Sequence, residues 1–249
     1  MKGLRFTLRA GLITLWILCG LLCIALTYSW IGLSARLWTK KYWSKILLGL
    51  CGVRVTQQGN PVLKGGVLWA VNHISWLDIF VLNCVRATAF VAKSEIRHWP
   101  LVGWLAAGAG TIFIERASRH AVHKVGHAMQ THFAREQAVG LFPEGTTSSG
   151  FDLLPFYANL FEPARKAAVQ IQPVALLYFH QGRRSDLAAF VGEQTLVESL
   201  WCVLSASGLS IEIHFLPLIA QAKELNLPTR AELARAARQS VSEVVSKNN

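Results

Sequence analysis

The sequence predicts an α/β fold: a mixed, largely parallel sheet covered by helices, preceded by an N-terminal membrane helix and an interfacial helix. Three observations lead there. From about Gly52 onward, short β-rich apolar runs alternate with longer helical stretches, the pattern of strand–helix–strand units. Several of the runs are continuously apolar, as strands buried on both faces are. Before them lies a segment of another composition, apolar and basic, with no acidic residue ahead of Asp78.

Ala10 to Ala35 is a run of 26 uncharged residues, long enough as a helix at ~1.5 Å per residue to cross a ~30 Å hydrocarbon layer with some tilt. A cleaved signal peptide fits poorly, because the run is too long and no small-x-small site closes it. Lys2, Arg5 and Arg9 at one end balance Arg36, Lys40 and Lys41 at the other, so the positive-inside rule leaves crossing and dipping both open. Next, WIGLSARLWTKKYWSKILLGLCGV sets Trp30, Leu33, Leu37 and Trp38 at helical spacing beside Lys40, Lys41 and Lys45. That suits a helix in the headgroup layer, or an ordinary helix packed on the α/β domain. The expected division is residues 1–50 as a membrane-anchoring segment and 51–249 as one α/β domain.

Within that domain strands are expected at 53–57, 66–72, 88–92, 111–114, 139–142, 171–179, 187–192 and 210–219. Helices are expected at 77–84, about 117–138, 158–168, 193–206 and 229–246. No repeat, low-complexity tract or linker interrupts them.

Composition narrows the partners. A mean hydropathy of +0.35 excludes a disordered chain, because enough apolar surface is available to offset the ordering entropy. Nine of the eleven net positive charges sit in the first 77 residues. Such a block suits nucleic acid or anionic lipid, and Trp16, Trp30, Trp38 and Trp43 among its leucines and isoleucines favour anionic membrane lipids over nucleic acid. Five cysteines, odd in number and widely spaced, fit neither a disulfide framework nor a zinc ribbon. His120, His123, His127 and His132 stud one helical stretch whose other stripe, Val122, Val125, Met129 and Phe133, reads as core. No metal and no cofactor is expected.

Three motifs carry chemistry. In NHISWLD, His73 can take a proton from a hydroxyl and Asp78 can fix its tautomer. Residues five apart on one helix point ~140° away from each other, so the two meet only if His73 precedes the helix and the chain turns between them. Ser75 would N-cap that helix with Asp78 at its third position. A capping box alone would also account for Asp78. In FPEGTTS, at the end of the strand VGLF, Gly145 permits a tight turn, Glu144 can accept from substrate hydroxyls, and Thr146, Thr147 and Ser148 can donate to phosphate oxygens. In FIER, Arg116 follows a buried strand and could fork onto a phosphate.

Together these motifs resemble the glycerophospholipid acyltransferases, typified by bacterial 1-acyl-glycerol-3-phosphate (lysophosphatidic acid) acyltransferase. NHISWLD stands for that family's N-H-x4-D, FIER for F-x-x-R, FPEGT for F-P-E-G-T and IQPVA for its later strand, over roughly residues 65–180; Lys93, Glu95, Pro100 and Gly103 look like its intervening segment. The resemblance implies acyl transfer from an acyl-CoA or acyl-acyl-carrier-protein thioester to the free sn-2 hydroxyl of lysophosphatidic acid, giving phosphatidic acid at the cytoplasmic face of a bacterial inner membrane. It implies His73 as general base, Asp78 as its orienting partner, Arg116 on the acceptor phosphate, and Glu144, Gly145 and Thr146 around the acceptor. No acyl-enzyme and no cofactor belong to that scheme. One departure stands out. Many members follow F-P-E-G-T with Arg-Ser, whereas Thr147-Ser148 follows here, a form that looks like some lyso-ornithine-lipid acyltransferases. That acceptor, another lysophospholipid, or a catalytically silent membrane lipid-binding scaffold are the alternatives.

Overall fold

The computed structural model describes residues 1–114, 119–219 and 228–248. Among them one sheet is built from β1 (Val53–Gln58), β2 (Val67–Val71), β3 (Thr88–Lys93), β4 (Ile112–Ile114), β5 (Ala138–Leu141), β6 (Gln170–His180), β7 (Arg183–Arg184) and β8 (Leu209–Phe215). Its order is β1-β8-β6-β2-β5-β3-β4, with β7 paired to β6. The strands from β6 through β2, β5 and β3 to β4 run parallel. Strand β8 is antiparallel to β6, and β1 follows β8, so the sheet is mixed and largely parallel.

The helices are α1 (Lys2–Thr27), α2 (Leu33–Cys51), α3 (Asp78–Val85), α4 (Val102–Gly108), α5 (Arg119–Ala134), α6 (Glu162–Lys166), α7 (Leu196–Ser205) and α8 (Arg230–Lys247). Central β2 shows why its sequence is continuously apolar. Val67, Trp69 and Val71 pack into a core shared with α2, α3 and α7, while Leu68 and Ala70 pack on the other face with Val125 and Met129 of α5, Ala164 of α6 and Leu233 of α8. Both faces being covered, no position on β2 is left for a polar side chain.

Three expectations need correction. Residues 187–192 form no strand: they cross the sheet edge as an irregular strap whose Phe190 N–H donates to Ile74 O at 2.8 Å, so their backbone bonds go to loops instead of a ladder. The stretch 158–168 is broken into a 3-10 turn, Ala158–Phe161, and the short α6. Helix α4 and the 3-10 turn Ser94–His98 before it were not expected at all.

Helix α1 has two faces with different fates. Phe6, Ala10, Ile13, Trp16 and Ile17 pack on the domain core, and Gly20 lets α1 approach α2 so closely that a Cβ there would lie 2.6 Å from Trp43 Nε1. Leu4, Leu8, Leu12, Leu15, Leu18, Leu22 and Leu26 form an exposed stripe on the other side. Helix α2 shares the same core through Leu47, Leu48 and Cys51, while Trp38, Tyr42 and Ile46 face outward.

Several of the basic residues that suggested lipid headgroups are engaged inside the protein. Arg5 Nη1 donates to Ser205 O at 3.0 Å, and Arg9 Nη1 to Leu204 O at 3.1 Å and Ala206 O at 2.6 Å. Both therefore cap the carboxyl end of α7, where carbonyls lack helical partners and a cation is favoured. Arg36 does the same for Tyr28 O and Ile31 O at the end of α1. Lys40 Nζ donates to Thr88 O at 2.5 Å and Ala109 O at 2.8 Å.

Burial pushes the Lys40 ammonium down to about 7 from an ordinary 10.5. A neutral amine still has two N–H bonds for the two carbonyls. Below about pH 7 folded and unfolded chains both hold the proton, and the full cost of burying the charge is present. Between there and about 10.5 the unfolded chain holds more of it, so this group's contribution makes stability rise with pH. The unfolding midpoint in detergent should climb from pH 7 to 9.5 and climb less for Lys40→Met; parallel curves would contradict this account.

Candidate active site

Strands β2 and β5 are parallel neighbours, Val67 opposite Ala138 and Ala70 opposite Leu141. Their carboxyl ends therefore release the NHISWLD and FPEGT loops side by side, at the sheet edge where open α/β folds bind ligands. Asn72 starts the first loop and ties it to β6: its side chain donates to Leu176 O at 3.0 Å and accepts from Leu176 N–H at 2.7 Å.

The chain then turns, as the five-residue spacing requires. Helix α3 begins at Asp78 itself, with Leu77 at its N-cap and no side-chain cap; this corrects the expected Ser75 hydroxyl cap. Only the reverse half of a capping box is present, Ser75 N–H donating to Asp78 Oδ2 at 2.9 Å. The same oxygen accepts Ile74 N–H at 2.7 Å and faces His73 Nδ1 at 2.7 Å. Bracing the turn and holding the imidazole are thus one job for Asp78. An ionised carboxylate only accepts, so the proton sits on Nδ1, and Nε2 with its lone pair is the ring nitrogen left for a substrate. The His73 side chain is 20% exposed and that of Asp78 fully buried.

Three further contacts fix His73. Its ring stacks on Phe142 with centroids 4.0 Å apart, and Phe142 stacks on Phe90 of β3 at 5.8 Å, so three parallel rings line the sheet edge. Its backbone N–H donates to Glu144 Oε1 at 2.8 Å, and its carbonyl accepts Ser148 N–H at 2.8 Å. Glu144 is 3% exposed, and its other oxygen takes Leu154 N–H at 2.9 Å. Burial raises its carboxyl above the ordinary range, opposed by those two N–H donors. Arg238 of α8 in turn donates to Leu154 O at 3.1 Å and Leu153 O at 2.8 Å. Gly145 has φ +72 and Tyr157 against it, 3.0 Å from where a Cβ would be, so only glycine fits without strain. Thr146 is exposed, and the Thr147 hydroxyl donates to Phe190 O on the strap.

A protein-family model described as Acyltransferase matches residues 52–177, a span that holds both loops. The chain belongs to this acyltransferase family. Among curated proteins it is 39% identical over 164 residues to the 1-acyl-sn-glycerol-3-phosphate acyltransferase of Neisseria gonorrhoeae, a match covering 66% of this chain and 64% of that one. It is 33% identical over 253 residues to the lyso-ornithine lipid O-acyltransferase of Pseudomonas aeruginosa, covering 97% and 93%. Among solved structures, the crystal structure of the 1-acyl-sn-glycerophosphate (LPA) acyltransferase PlsC from Thermotoga maritima shares its fold, with a TM-score of 0.69 at 20% identity over 98% of each chain.

In this acyltransferase family member, His73, Asp78, Glu144, Gly145 and Thr146 gather at one edge of the sheet. Arg116 lies outside the described residues; β4, which ends at Ile114, points to the same edge through its parallel pairing with β3. The contacts expected of Glu144 were with substrate, whereas both its oxygens here hold backbone N–H groups. Sequence reading missed Tyr178, whose hydroxyl donates to Asp78 Oδ1. The available signal was a tyrosine inside a buried aliphatic strand, since a phenol placed there requires a partner.

Proposed function

We propose that this protein transfers an acyl group from acyl-CoA or acyl-acyl-carrier protein to the free hydroxyl of a lysolipid, with lysophosphatidic acid as acceptor and phosphatidic acid as product. The observation that carries the reading is the His73–Asp78 contact of 2.7 Å, which leaves an imidazole lone pair at the carboxyl edge of the sheet. The acceptor hydroxyl oxygen attacks the thioester carbonyl carbon while His73 Nε2 takes its proton. The tetrahedral intermediate collapses, the C–S bond breaks, and the departing thiolate recovers that proton from the imidazolium. Asp78 stabilises the imidazolium meanwhile. Glu144 acts through the backbone of His73 instead of touching the acceptor. No acyl-enzyme is needed: Cys84, nearest to the dyad in sequence, donates to Val81 O, and burial pushes its thiol up to about 11.

The protein works at a bilayer in this reading, on the cytoplasmic face of a bacterial membrane, where thioester donors are made. The leucine stripe of α1, with Trp30, Trp38 and Trp104 exposed, supplies the lipid-facing surface. The other face of α1 is packed on the domain core, so the leucine stripe is the side that the helix offers to lipid in this reading.

A second acceptor is favoured by specific observations. Thr147-Ser148 offers no cation after F-P-E-G-T, and the lyso-ornithine lipid enzyme of Pseudomonas aeruginosa matches nearly the whole chain. The deciding experiment offers lysophosphatidic acid and lyso-ornithine lipid in parallel to the full-length protein, recovered from the membrane fraction without detergent. Faster acylation of lysophosphatidic acid is expected, with Arg116→Ala raising its KM about 10- to 100-fold, as loss of a charge-assisted phosphate fork does, and leaving a phosphate-free acceptor little changed. Preference for lyso-ornithine lipid, or equal damage to both acceptors, would overturn the phosphate assignment.

A further inference from the structure

The NHISWLD loop is tied to β6 at both ends. Asn72, its first residue, exchanges two hydrogen bonds with the Leu176 backbone, and Asp78, its last, receives the hydroxyl of Tyr178 two residues farther along the same strand. The two attachments differ in kind, since the first secures the backbone and the second reaches the carboxylate that faces His73.

We propose that Tyr178 is a positioning residue for acyl transfer: by donating to Asp78 Oδ1 it fixes the carboxylate plane so that Oδ2 is presented to the His73 imidazole. The inference rests on the acyl-transfer reading above. Asp78 is fully buried, so water cannot substitute for a missing donor. Its Oδ2 is occupied from one side by Ile74 N–H, Ser75 N–H and His73 Nδ1. Among the described residues Tyr178 supplies the hydrogen bond to Oδ1. Without it that oxygen would be a buried, unpaired half of a charge, and rotation of the carboxylate in search of a partner would move Oδ2 off the imidazole.

Tyr178 suits the task because it carries no charge of its own. It is 1% exposed, and burial together with the adjacent Asp78 charge holds its phenol well above its ordinary range, so it remains a donor at every working pH. The groups facing His73 are then Asp78 from the start of α3, with Tyr178 behind it on β6, and Glu144 from the loop after β5.

The test is Tyr178→Phe in the full-length protein, assayed with lysophosphatidic acid and acyl-CoA across pH, alongside His73→Ala. Loss of a hydrogen bond to a charged group should lower kcat about 10- to 100-fold, with both KM values within about threefold. Because the rotated carboxylate then holds the imidazolium less well, the acid limb of kcat/KM should move to lower pH. A purely structural tyrosine would lower the unfolding temperature and leave that limb in place, and this result overturns the proposal. If His73→Ala remains active, the general-base reading falls and the role of Tyr178 falls with it. If His73→Ala is inactive while Tyr178→Phe keeps its kcat and its acid limb, only the present proposal is lost. Should Tyr178→Phe alone not fold, Tyr178→Phe with Asp78→Ala leaves neither a carboxylate nor an amide at position 78 for the phenol to hold. It should match Asp78→Ala in rate, and a further tenfold loss would show that Tyr178 acts independently of Asp78 and reject the assignment.

Discussion

His73→Ala is expected to fold, to remain in the membrane fraction, and to lose at least the ~10²- to 10⁴-fold in turnover usual for general-base catalysis. The structure explains why the loss should be chemical and not structural. Removing the ring leaves Asp78 Oδ2 with Ile74 N–H and Ser75 N–H, and Oδ1 with Tyr178, so the buried charge stays solvated by the protein. Glu144 keeps the backbone N–H of residue 73, which any residue but proline supplies. What disappears is a stack on Phe142 and the proton acceptor. Initial acylation rates, with thermal unfolding as the control, decide the matter; near-wild-type turnover in a folded His73→Ala protein would reject the base assignment.

Asp78→Asn separates the two jobs combined in that side chain. With its amide oxygen in the place of Oδ2, asparagine still accepts from His73 Nδ1, Ile74 and Ser75, and its NH₂ then meets Tyr178 Oη, which has lone pairs to accept it. The turn is preserved and only the charge is gone. If bracing the turn were the whole role, stability would fall slightly and turnover would stay nearly intact. The dyad reading expects the reverse: a folded protein that has lost ~10²- to 10⁴-fold of its rate, because nothing balances the imidazolium as it forms. The loss should not add to that of His73→Ala, since the two residues act as one unit. Additive losses in the double mutant would argue that Asp78 works apart from His73.

What could be read from the chain in advance was whatever is local. The spacing of His73 and Asp78 demanded a turn between them, and the turn is there because Asp78 gathers the N–H groups of Ile74 and Ser75. Largely apolar runs identified β2 and β6, since strands covered on both faces leave few polar positions; the exception in β6, Gln172, is buried and accepts from Val62 N–H and Trp69 Nε1. Contacts between distant segments stayed hidden. Tyr178 reaches Asp78 across 100 residues, and no periodicity marks such a pair. The strap at 187–192 has the composition of a strand but meets the loops at Ile74 and Thr147 in place of a sheet edge. Charge was only partly legible for a related reason: of the basic residues near the start of the chain, Arg5, Arg9, Arg36 and Lys40 satisfy backbone carbonyls brought to them by the fold.

The clasp of Arg5 and Arg9 on the end of α7 also bears on how the protein is made. Arg5 bonds to a carbonyl 200 residues downstream, so α1 waits for that much further synthesis before its seat on α7 exists. At ~5–20 residues per second that delay is roughly 10–40 s. During it α2, made directly after α1, can cover part of it, while the leucine stripe and the residues that later meet α7 stay bare. A segment so apolar needs another cover meanwhile, and the bilayer is the one at hand. If the protein works at a bilayer as proposed, lipid is expected to cover α1 first and the domain to close onto it afterwards.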